Sequence, residues 1–141
     1  MSLLKYKLSD IKHRILQLEN LSEHKNYLSA FIQRDFTEFL FPDWMKITRI
    51  GRYAFTSYLN LTSITIPDSV LSIDYTAFVV CKSLTDVYML PITPPILERD
   101  DVFTNTKTTP TIHVPIGSGD AYKSATNWSS YADQIVEDIE I

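Results

Sequence analysis

Between residues 47 and 90 the chain repeats itself at an offset of 23. Ile50 falls on Ile73, Ala54 on Ala77, Phe55 on Phe78, Leu61 on Leu84, Ile64 on Val87 and Ile66 on Met89. Apolar residues held in fixed phase at a period of about 20–50 residues mark a stack of like units, because no single unit of that size can bury its apolar face alone. The repeat therefore predicts a solenoid. It constrains the fold tightly and leaves the ligand open.

One unit can be read residue by residue. Ile64, Thr65 and Ile66 alternate, so on a short strand Ile64 and Ile66 share one face while Ser63 and Thr65 share the other. Pro67 ends the strand, having no N–H to donate to a continuing ladder. After the polar bend Asp68-Ser69 the chain turns inward again with Val70 and Ile73. The Ala77-Phe78 pair then sits on a tight helical or 3₁₀ turn, where Ala permits close approach and Phe fills the space between stacked units. Leu61 plays the part of leading into the strand and closes the circuit.

The run LTSITIPDSVLSIDYTAFVVCKSLTDV resembles the BspA-type leucine-rich repeat family. Weaker copies flank it: Phe39-Leu40-Phe41-Pro42 aligns with Ile64-Thr65-Ile66-Pro67 at an offset of 25, and Ile112-His113-Val114-Pro115 aligns with the same strand at an offset of 48. Phe103 stands where the next Ala-Phe is due. The stretch from LPITPPIL through IHVPIGSGDAYKSATNWSSYADQI is similar to the terminal unit of that family, so the resemblance covers residues 36 to 138. It implies an α/β chain: a short leucine-rich-repeat solenoid of about four strand-turn coils, right-handed as in the family, behind an N-terminal helical segment. Three positions depart from the pattern. The usual Gly after the inward Ile is kept as Gly51 but is Asp74 one unit later, where Asp is expected to tolerate a left-handed turn. Val102 replaces the Ala of the last unit, and Tyr58 replaces the Cys of the first.

Residues 1–35 do not share the repeat and read as an N-terminal cap or oligomerisation segment; residues 36–141 read as the repeat domain with a C-terminal cap. Leu4, Leu8, Ile11, Ile15 and Leu18 recur at 4-3-4-3 spacing, one stripe of a helix. That stripe either covers the open first coil of the stack or pairs with another copy of itself. A second helical piece is expected from Lys25 to Phe36, with Tyr27, Leu28, Phe31 and Ile32 inward, joined by Trp44 and Met45. At the other end, Gly117-Ser118-Gly119 reads as a turn, since it lacks the Lys-Ser/Thr of a phosphate loop. Asp120 is expected to cap a short helix, Ala121 to Ala125. Trp128, Tyr131, Ile135 and Val136 are expected to supply the cap, with Glu137, Asp138 and Glu140 a solvated edge around Ile139.

Composition narrows the function. The 141 residues, 45% of them hydrophobic, suffice for a real core, and no run of 18 apolar residues predicts a membrane span. The first 21 residues carry Lys5, Lys7, Asp10, Lys12, Arg14 and Glu19 and do not read as a signal peptide. The expectation is a cytosolic or virion-associated chain, or a cell-surface one if cut from a longer exported protein. The N-x-S/T triplets at Asn20, Asn60 and Asn127 carry little weight without secretion. A net charge of -4 and the absence of a basic stripe argue against nucleic acid. Cys81, alone, excludes an internal disulfide and reads as a buried structural thiol. His13, His24 and His113 have no ligand partner at metal spacing, and no nucleophile elbow accompanies any Ser-His-Asp set. No enzyme and no cofactor are expected.

What remains is a surface. In-register stacking lines up two outward ladders, Leu40, Thr65, Tyr88, His113 and Glu38, Ser63, Asp86, Thr111, either a plain exposed sheet face or a site for a protein or glycan, with Tyr88 the best anchor. The family resemblance implies a non-catalytic protein-interaction or adhesion module, as in bacterial surface antigens. The alternative is a structural subunit of a bacteriophage appendage or other assembly, anchored or oligomerised through Leu4, Leu8, Ile11, Ile15 and Leu18.

Overall fold

The computed structural model describes residues 37–41, 46–103 and 109–141. Strands β1 (Glu38–Leu40), β3 (Ser63–Ile66), β5 (Asp86–Met89), β7 (Thr111–Pro115) and β8 (Ile135–Ile139) form one sheet in that order. Strands β2 (Arg49–Ile50), β4 (Ser72–Ile73) and β6 (Ile96–Leu97) form a second. Every pairing is parallel, and through the first six strands each unit lays one strand in each sheet. The register is the one the repeat predicts: Leu40↔Thr65, Thr65↔Tyr88 and Tyr88↔His113, beside Glu38↔Ser63, Ser63↔Asp86 and Asp86↔Thr111. Strand alternation is equally plain, with Ile64, Ile66, Val87, Met89, Ile112 and Val114 buried and Ser63, Thr65, Asp86, Tyr88, Thr111 and His113 half-buried between them.

A column of aromatic rings runs through the stack. Phe55 and Phe78 stack at 5.5 Å and 6°. Phe78 and Phe103 follow at 5.4 Å, and Phe103 meets Trp128 at 6.3 Å. Ala54 and Ala77 are fully buried in turns closed by i to i+3 bonds, Ala54 N–H to Gly51 O and Ala77 N–H to Asp74 O. Tyr58, in the place of Cys, packs edge-on against Phe55 at 5.4 Å.

Three expectations are corrected. Asp74 does not serve a left-handed turn; the positive φ angles fall at Tyr53, Ser57, Val80, Asn127 and Gly117. Asp74 is buried and accepts two bonds from Arg49, at 2.9 and 2.8 Å, so the partner that a buried carboxylate requires comes from the preceding unit. The short helix runs Gly119–Ser124 with Ser118 at its N-cap, not Asp120, and the Ser118 hydroxyl donates instead to Pro115 O at 2.6 Å. Val136 is exposed instead of joining the cap, on an acidic tail whose Glu137, Asp138 and Glu140 are solvated as expected and which forms an edge strand, β8. The expected N-terminal helices, including Leu4, Leu8, Ile11, Ile15 and Leu18, and Trp44 with Met45 lie outside the described residues.

The last unit is closed by side chains that imitate a further one. Leu71 O and Ile73 O accept from Ile96 N and Glu98 N of the next unit. Their counterparts at an offset of 24, Pro95 O and Leu97 O, accept from Trp128 Nε1 at 2.6 Å and Asn127 Nδ2 at 2.8 Å. Phe55 N–H donates to Ala77 O one unit on, whereas Phe103 N–H donates to the Tyr131 hydroxyl, which itself donates to Asp100 O. Tyr131→Phe removes both roles. It should lower the unfolding free energy by about 1–3 kcal/mol, read as a lower urea midpoint at unchanged slope.

Candidate functional site

The outward face of the larger sheet gathers what the two ladders bring to one place. The Tyr88 and His113 rings stack at 4.3 Å and 14°. Their Cα partnership across β5 and β7 places them side by side, on strands whose opposite faces are pinned by Val87 and Ile112 in the core. His113 Nε2 lies 2.8 Å from Asp86 Oδ1, and its Nδ1 lies 2.7 Å from Asp138 Oδ2. The second oxygen of Asp86 accepts from Thr85 Oγ1 at 2.8 Å. A carboxylate offers only acceptors, so the arrangement matches an imidazole that carries a proton on each nitrogen. Ser63, Thr65 and Thr111 occupy the half-buried positions around this group. Glu38 and Leu40 hold their predicted register positions on β1.

Electrostatics follow from the geometry. Desolvation alone would lower the pKa of His113, but the hydrogen bonds to Asp86 and Asp138, with their charges, more than reverse it and raise it above its ordinary value. The bond from His113 holds the Asp86 carboxyl below its usual range, desolvation opposes this, and Thr85 adds to it.

Asp138 is the member of this group that the sequence reading missed. A bulge lies between Val114 and Pro115, where Val114 pairs with Glu137 but Pro115 pairs with Ile139, leaving Asp138 the additional residue. The irregularity lets successive acids serve different partners. Glu137 Oε1 accepts from Gly117 N–H at 2.6 Å and Gly119 N–H at 3.0 Å, while Asp138 reaches His113. These two backbone bonds hold the Glu137 carboxyl below its ordinary pKa. A Cβ at Gly119 would stand 2.7 Å from Glu137 side-chain carbons, which is why glycine fits there. The signal was present: Ile112 recurs as Ile135 at an offset of 23, so the tail continues the strand ladder.

The smaller sheet carries features that sequence reasoning did not single out. Leu71 and Ile96 are exposed at 66% and 72%, and the Leu71 carbonyl accepts from Ile96 N–H at 2.8 Å. Arg52 and Arg99 both stand over the Tyr75 ring at 5.0 Å, and Arg52 also meets Glu98 at 3.2 Å.

Other candidates are placed plainly. Cys81 is fully buried; its Sγ donates to Phe55 O at 2.9 Å, and desolvation pushes its pKa up to about 12. His13 and His24 lie outside the described residues. Among the described residues no group of three His, Cys, Asp or Glu is arranged to hold a metal, and no helix is long and apolar enough to cross a membrane.

Parallel strands in two sheets, recurring every 23 to 25 residues, define a repeat protein of the α/β class. The chain belongs to the BspA-type leucine-rich repeat family: the family model described as the BspA type leucine rich repeat region, with six copies, matches residues 25–116. A search of curated proteins found no match.

Thiol chemistry offers a direct check on this part of the structure. Cys81 in the folded chain should react with an aromatic disulfide reagent at least about a hundredfold more slowly than in urea, since its thiolate is scarce and shielded; equal rates would place it at the surface.

Proposed function

We propose that the chain is a non-catalytic protein-interaction module, a short right-handed solenoid that presents the outward face of its larger sheet to a partner. Family membership supports an interaction role in general. The observation that carries the site is the Tyr88–His113 stack beside Asp86, an aromatic and charged cluster held in fixed register on a rigid sheet. Such a cluster suits recognition: a preordered ring contributes contact area at low conformational cost, and charged neighbours set orientation. Adhesion to a protein or glycan, as in surface antigens of the same repeat type, is the specific form this role takes here.

A test needs only matched baits. Partners captured by the wild-type chain should be lost by about 10- to 30-fold with the Tyr88→Ala/Asp86→Ala double variant, the size of an interface hot spot of ~1.4–2 kcal/mol. Retention equal to wild type would move the contact elsewhere, with Leu71 and Ile96 next to be substituted.

A second reading is favoured by one sequence observation, the 4-3-4-3 stripe of Leu4, Leu8, Ile11, Ile15 and Leu18. Under it the chain is a structural subunit of a phage appendage or other assembly, and the stripe joins copies. Light scattering across a concentration series discriminates. If Ile11→Glu/Ile15→Glu converts an oligomer to a folded monomer, assembly is the role of that stripe; if the wild-type chain is already monomeric, the assembly reading fails.

A further inference from the structure

The outward face is tied together at one point by a single titratable side chain. We propose that His113 is a pH-operated latch on this face: as imidazolium it joins Asp86 of β5 to Asp138 of β8 against the Tyr88 ring, and its deprotonation releases Asp138 and the end of β8. The proposal rests on the reading of this face as the contact surface and concerns how that surface is controlled.

Three contacts converge on one ring, and two of them require protons. Nε2 and Nδ1 each face a carboxylate oxygen within 2.8 Å. Neutral imidazole has one N–H, so on deprotonation one of the two nitrogens turns a lone pair toward a carboxylate. The bond that remains is decided by the surroundings. Asp86 sits mid-sheet on β5 with its other oxygen bound by Thr85. Asp138 lies on the edge strand, at the bulge, with its side chain 45% exposed against 36% for Asp86. Asp138 is the group that leaves. The trio then carries two net negative charges in place of one, and the Tyr88 ring loses the cation stacked on it.

Among the described residues, the charged groups acting on His113 are Asp86 from β5 and Asp138 from β8, with Tyr88 of β5 the remaining titratable neighbour. With its side chain only 14% exposed, the ring is shielded from solvent, so its interactions with these groups are weakly screened and govern it. A histidine whose folded pKa is raised contributes its full stabilisation below the ordinary value of ~6.5 and loses it as pH rises through the folded value. The latch is therefore closed at pH values below the ordinary one and opens as pH rises through the raised folded value. Toward acid the other limit is set by Asp86 and Glu137, whose lowered pKa values preserve their contacts until pH falls through those values. Release is local to Asp138 and the end of β8, because the bonds from Gly117 and Gly119 to Glu137 still anchor the strand just before Asp138.

The experiment is an NMR titration of the full chain without any partner. His113 ring signals are assigned by their loss in His113→Gln, and amide protection factors are followed for Val136 to Ile139 with Ile64 and Ile66 as references. The expected result is a His113 midpoint above ~6.5, a fall in β8 protection with the same midpoint, and unchanged protection in β3. Asp138→Asn should lower the midpoint by about one pH unit and uncouple it from β8. A midpoint at or below the ordinary value, β8 protection indifferent to it, or a midpoint unmoved by Asp138→Asn overturns the latch. Because no partner is present, that failure leaves the contact-surface reading standing. Conversely, undiminished capture by Tyr88→Ala/Asp86→Ala removes the contact surface without touching the titration.

Discussion

Each unit spends its strand amides on the carbonyls of the unit before it. Thr62 donates to Thr37, Thr85 to Thr62 and Thr111 to Thr85, while Leu71 and Ile96 repeat the pattern in the second sheet through Thr48 and Leu71. At the Ala-Phe turns the direction reverses, with Phe55 donating to Ala77 and Ser57 to Val79. Backbone groups buried in so small a core need such partners. A one-residue slip would not only break these bonds but also turn Ile64, Val87 and Ile112 to solvent. Hydrogen bonding and burial therefore select the same register, and neither has to be traded against the other.

The site inherits its geometry from that agreement. Tyr88 and His113 do not find one another across open space; Val87 and Ile112, on the opposite faces of their strands, place them. The aromatic column beneath keeps the strands at stacking distance, with Phe78 between Phe55 and Phe103. A surface cluster built this way loses little freedom when it binds, since the ordering cost is met by folding.

How much of this was legible depends on periodicity. The strands, their pairing, the inward Ile and Val positions and the outward ladder could be read because they repeat at nearly constant spacing. Asp74 was misread because a substitution inside the repeat was judged by backbone preference alone, whereas its cause is Arg49 in the preceding unit, 25 residues away. Asp138 was missed because a bulge displaces it from the phase that made Tyr88 and His113 visible. Asp120 was assigned a cap by residue type, but the chain already turns at Gly117, where φ is 94°. Regular features announce themselves through sequence spacing, while departures from the period are fixed by tertiary partners that spacing does not encode.

The closing side chains have a consequence for how such a chain can lengthen. Trp128, Asn127 and Tyr131 occupy the positions from which a following unit would donate and accept, so this end of the smaller sheet is chemically saturated. A unit appended there would compete with an indole, an amide and a phenol already seated. A unit duplicated between β3 and β5 would meet backbone groups of the same kind on both sides. Growth by internal duplication preserves every junction; growth by addition at that end first requires dismantling one.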